Sequence, residues 1–112
     1  MLNRERVFMD VSADREMLFR VCGNSMYPTL LNNDVVSVIV CEEYCINDIL
    51  VVNCIDHLMI HRIIKNQMRN DEMYYLTKGD NNNFIDRWCS SKAVIGKVVK
   101  VNHMPLGNMK KN

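Results

Sequence analysis

The amino-acid sequence predicts a mainly β fold, a small coiled sheet or partly closed barrel. Three observations carry that prediction. Apolar residues come in runs of strand length, many of them β-branched. Clusters of Asn, Asp, Ser and Gly, which favour turns, separate the runs. Only two short stretches, neither longer than a turn or two, suit a helix.

Taken in order, Arg6 to Val11 and Met17 to Cys22 are the first two strands, with Ser12 to Arg15 as a hairpin-type connection. Asp34 to Val40, rich in valine and isoleucine, is the third. Asp48 to Ile55 and Leu58 to Lys65 follow, joined by a turn at Asp56-His57. Met73 to Lys78 is the sixth, closed by Gly79-Asp80-Asn81-Asn82-Asn83, a strong loop signal. Ala93 to Asn102 is the last. The two helical turns are placed at Tyr27 to Leu31, where Pro28 suits a helix start, and within Ile85 to Lys92. Residues 1–104 form one domain, and 105–112 read as a flexible tail.

Composition narrows the function. With 48% apolar and 24% charged residues in 112, the chain is globular and of single-domain size. A net charge of +1 gives no electrostatic case for a nucleic-acid partner. No run approaches the roughly 18–20 apolar residues of a membrane span. The opening MLNRERVFMD lacks the apolar core of a secretory signal, so a soluble, cytoplasmic protein is expected. Five cysteines, an odd number with no export signal, are expected as reduced thiols. Cys41, Cys45, Cys54 and His57 match no compact zinc spacing, and the reading has neither metal nor cofactor.

Single residues say little. Ser25, in Gly-Asn-Ser-Met-Tyr-Pro-Thr-Leu, suits a turn cap. His61 lies inside the strand Met59 to Ile64, whereas His57 falls in a turn and His103 close to the tail. Asp80 and Asp86 bracket the loop after the sixth strand, where Asp and Asn serve turn chemistry. A serine nucleophile, though, needs a base within reach and a group that orients the base. Ser25, His61 and the two aspartates are the residue types for that.

Their order resembles the signal peptidase I superfamily, which also includes the LexA-type self-cleaving repressors. Gly23 to Leu30 is similar to the family's nucleophile box. Asn33-Asp34-Val35-Val36-Ser37-Val38 and Asn47-Asp48-Ile49-Leu50-Val51-Val52 resemble the next two strands, with asparagine where glycine is usual. Ile60-His61-Arg62-Ile63-Ile64 resembles the segment that supplies the base. Lysine stands there in bacterial signal peptidases and LexA-like proteins, histidine in the archaeal, endoplasmic-reticulum and sporulation-type branch. Tyr75 to Asn82 with Asp86 resembles that branch's acidic box, and Ile95-Gly96-Lys97-Val98-Val99 its closing strand.

The resemblance implies a serine endopeptidase that cleaves a leader or precursor peptide. Ser25 would attack the carbonyl, His61 would take and return the proton, and Asp80 or Asp86, or both, would orient the imidazole. A histidine base implies activity that rises between roughly pH 6 and 7. The Ser25 N–H would be one oxyanion donor. Some relatives supply a hydroxyl two residues earlier, where this chain has Gly23, which leaves Asn24 or another backbone N–H for the second. Met26 and Tyr27 would line shallow substrate pockets, with core packing the equal reading for Met26. Signal peptidases are normally membrane-anchored, and the absence of a span here fits better with free action on a small peptide or precursor, with association through a membrane partner left open. Two further readings are a fold-retaining binding module without turnover and a fragment of a LexA-type regulator.

Overall fold

The computed structural model describes residues 6–9 and 15–109. Its strands are β1 (Arg6–Met9), β2 (Met17–Arg20), β3 (Val35–Ile39), β4 (Ile49–Asn53), β5 (Leu58–Arg69), β6 (Glu72–Lys78), β7 (Trp88–Ser90), β8 (Val94–Val101) and β9 (Met104–Pro105). They form one antiparallel sheet in the order β1-β2-β3-β8-β4-β5-β6-β7, with β9 beside β8. The sheet is open and strongly curled into a half-barrel, so the expected fold class is borne out.

Strand β4 explains how so small a chain builds a core. Alternate residues of a strand point to opposite faces. Ile49 and Val51 enter a cluster with Phe19, Met26, Leu30, Val36 and Val98. Leu50 and Val52 enter a second cluster with Tyr44, Ile63 and Tyr75. All four are buried, and a strand covered on both faces reads as a continuous apolar run rather than an alternating one.

Two asparagine-aspartate pairs enter β3 and β4 by the same device. Asn33 and Asn47 have φ of +78° and +82°, the left-handed region that glycine fills freely and asparagine tolerates best among the rest. Each following aspartate accepts from the backbone N–H three residues earlier, Asp34 from Leu31 and Asp48 from Cys45, both at 2.8 Å. That accounts for asparagine at the two positions where the resemblance leads one to expect glycine.

Several boundaries differ from those the sequence predicts. β5 runs on to Arg69, because Lys65–Arg69 pairs with Glu72–Leu76 in a ribbon whose β5 residues are exposed and, but for Met68, polar. Where a helical turn was expected in Ile85 to Lys92, β7 pairs with Tyr74–Leu76, and a single 3₁₀ turn follows at Ser91–Ala93. At Tyr27 to Leu31 the chain makes a hydrogen-bonded turn with a cis Tyr27–Pro28 bond. The Ser12 to Arg15 connection falls, but for Arg15, outside the described residues. Pro105 and Leu106, assigned to the tail, are respectively paired with β8 and packed against the core. Among the described residues no helix is long and apolar enough to cross a membrane.

Candidate active site

Ser25 is anchored by the turn on its C-terminal side. Met26 and Leu30 are fully buried in the core, and the Leu30 N–H donates to the Met26 carbonyl at 2.9 Å, closing that turn. Burying two such side chains contributes about 1.5–3 kcal/mol each. Of the two readings for Met26, core packing is the one its surroundings display, although it also lines the cleft beside Ser25. Tyr27 points outward and is half exposed.

His61 comes from β5 opposite Leu50, so its ring shares a face with the second core cluster, where it is buried. Its Nε2 lies 3.0 Å from Ser25 Oγ, and its Nδ1 lies 2.6 Å from Asp86 Oδ2. A carboxylate can only accept, so Nδ1 carries a proton toward Asp86 and Nε2 is left to accept from the Ser25 hydroxyl. Asp86 is itself held. The buried Thr77 hydroxyl donates to the same Oδ2 at 2.7 Å, and the Asp86 N–H donates to the Thr77 carbonyl at 2.9 Å.

Asp80 has different company. The Arg62 guanidinium grips it with two bonds of 2.8 Å, and the Thr29 hydroxyl donates to it at 2.6 Å. Burial by itself would push the Asp80 carboxyl up, but Arg62 and Thr29 outweigh burial and hold it below its ordinary value. The same pair raises Arg62, chiefly through the hydrogen bonds to Asp80. Arg62 also donates to the Asn47 carbonyl at 2.9 Å. This knot joins the turn after Ser25, the strand that carries His61 and the loop after β6. It does not touch the imidazole.

The loop after β6 is stapled to the serine turn. The Asn81 N–H donates to the Ser25 carbonyl at 2.8 Å, and its side-chain amide donates to the Asn24 carbonyl at 3.0 Å. Gly79 makes that approach feasible. A Cβ there would stand 2.7 Å from Ser25 O and 3.0 Å from His61 Nε2, too close for any side chain. Gly23 has φ of +93°, a conformation that disfavours the serine or threonine which could offer a hydroxyl there.

Ser25 and His61 face a cleft of about 220 Å³. Phe19, Val21 and Met26 form one side, Leu58, Met59 and Ile60 another, with His57 and Asn82 also on its walls. Gly23, Asn24 and Tyr27, predicted to contact substrate, are not among the residues that line it. Cys41, Cys45, Cys54 and His57 do not converge, and no metal-binding cluster forms among the described residues.

Sequence reasoning singles out Ser25, His61, Asp80 and Asp86 without choosing between the aspartates; Ser25, His61 and Asp86 meet, whereas Asp80 pairs with Arg62. It left Thr29, Arg62, Thr77 and Gly79 without roles. Only Gly79 offered a local signal, a glycine at the end of a strand directly before an acidic residue.

In fold and site, a curled antiparallel sheet holds the Ser25 hydroxyl against the His61 imidazole. The chain belongs to the Peptidase S24-like family, whose model matches residues 3–99. That places it in the superfamily of the LexA-type proteins and signal peptidases, without distinguishing the branch by its base. No curated protein matches the chain.

Proposed function

We propose that this protein is a serine endopeptidase of signal-peptidase type, with a histidine base, that cleaves a leader or precursor peptide. One observation carries the reading, the unbroken series Ser25 Oγ, His61 Nε2, His61 Nδ1, Asp86 Oδ2 with steps of 3.0 and 2.6 Å at its two hydrogen bonds. In the first step the Ser25 hydroxyl attacks the scissile carbonyl while its proton passes to His61 Nε2. Asp86 stabilises the imidazolium that forms, and Thr77 keeps Asp86 in place. His61 then returns the proton to the leaving amine, and water, activated by the same nitrogen, releases the acyl group. Asp80 acts at a distance from this chemistry, as a positioning residue that ties three segments together.

Two further features support the reading. Lys78 donates to the Gly79 carbonyl at 3.2 Å and Lys65 is exposed, so neither stands at the serine hydroxyl as a lysine base would. On β5 the ladder to β4 covers Leu58 to Arg62, whereas the ladder to β6 begins only at Arg62. The second edge of Leu58 to His61 therefore faces the cleft, where an extended peptide can add main-chain hydrogen bonds.

The test is labelling with a fluorophosphonate probe, located by mass spectrometry. Modification at Ser25 in the native chain, absent from Ser25→Ala, is the expected result. Equal labelling of both proteins removes the proposal, and no labelling of either favours a binding module without turnover.

A further inference from the structure

Resting on the peptidase reading above, we infer that the side-chain amide of Asn82 is the second donor to the oxyanion. A tetrahedral intermediate leaves negative charge on the former carbonyl oxygen, and donors fixed beforehand around that oxygen stabilise it most. The Ser25 N–H donates to no described residue, so it is open to serve as the first. Gly23 has no side chain to offer, and its N–H is already given to Asn32 Oδ1 at 2.7 Å. Asn24 does not line the cleft.

Asn82 lines the cleft beside Ser25 and His61, and its amide makes no hydrogen bond to any described side chain or backbone group. The empty position above Gly79 locates it. A Cβ built there would lie 2.7 Å from Asn82 Nδ2, 2.7 Å from Ser25 O and 3.0 Å from His61 Nε2. The amide nitrogen, the Ser25 backbone carbonyl and the base nitrogen thus crowd one point at Gly79, which brings the Asn82 amide close to the base. An amide with two N–H donors in that place has the chemistry to hold an oxyanion.

The backbone that carries the amide is held before any ligand arrives. The Asn82 N–H donates to the Gly79 carbonyl at 3.0 Å, and its neighbour Asn81 anchors the loop to the Ser25 and Asn24 carbonyls. A donor carried on an anchored loop needs little reorganisation as charge develops, and its removal slows the chemical step rather than ground-state binding.

The experiment measures the second-order rate of fluorophosphonate labelling at Ser25, because the phosphonyl oxygen occupies the oxyanion position. Asn82→Ala and the size-matched Asn82→Leu should each slow labelling by roughly 10²–10³-fold. Asn82→Asp keeps the shape and loses the donors, and should fall as far. A packing role would spare it. Thermal melting of all three variants reports whether the fold is intact, and the best folded of them decides the case. A variant that melts with the native protein and labels within about threefold of its rate overturns the assignment. Absence of labelling in the native chain would instead remove the peptidase reading, and this inference with it.

Discussion

Asp80 and Asp86 lie on one loop and carry the same chemical group, yet they end in opposite company. Asp86 faces an imidazole that changes charge during the proposed reaction. Asp80 faces a guanidinium whose charge never changes. Their side chains are similarly sheltered, 14% exposed for Asp86 and 19% for Asp80, so burial does not separate them. What separates them is the neighbour across the sheet. His61 and Arg62 are consecutive on β5 and point to opposite faces, which delivers one to each aspartate. Two adjacent residues of alternating direction thus sort two acids into a chemical partner and a structural bolt.

The sharpest way to break that comparison is to neutralise each acid in turn. Asp86→Asn should lower the Ser25 labelling rate by about 10⁴-fold, since an amide in that place favours the wrong imidazole tautomer. Asp80→Asn should stay within about tenfold of the native rate, as expected of a group that acts through others. Equal losses in a kinetic labelling assay would erase the distinction.

Next in size is Gly79→Ala. The added methyl would press on Ser25 O and His61 Nε2 together, and displacing either by about 1 Å costs on the order of 100-fold in rate. Far-ultraviolet circular dichroism should show the fold retained.

The smallest effect concerns stability. Asp80→Asn leaves Arg62 with an uncharged partner, a loss of about 1–3 kcal/mol once the remaining solvent contact of both groups is allowed for. The pH dependence comes from the lowered folded-state value of Asp80. Its contribution is fully present above the unfolded carboxyl value near 4 and fades as pH falls through the lower folded value. Urea unfolding should therefore separate native protein and variant by a constant margin above about pH 5, narrowing below about pH 4. A margin that widens in acid would contradict the assigned pairing.

How much of this was legible beforehand depends on the range of the contact. Strands β2, β3, β4, β6 and β8 announce themselves because burial imposes an apolar pattern on their own residues. The outer half of β5 does not, since Asn66 to Arg69 is held by pairing with β6 and carries no apolar stripe. β7 and β9, with three and two residues, are too short for any period to register. In the site, Ser25 and His61 stood out by the ordered motifs around them, whereas the choice between Asp80 and Asp86 did not. That choice is made by which face of β5 each acid meets, a matter of sheet register. Thr77 was equally silent, because a threonine in a strand is commonplace until its hydroxyl is seen to end on Asp86.

Strand β4 carries one last implication. Because its successive side chains belong to two different clusters, it acts as a party wall between them, and neither room can be emptied while the other stands. The serine turn is rooted in the first room through Met26 and Leu30. The imidazole borders the second, alongside Leu50, its partner across the β4–β5 ladder. The serine turn and the imidazole are thus rooted on opposite sides of one strand although they meet in one cleft, and heat that loosens either root takes down the whole building at once.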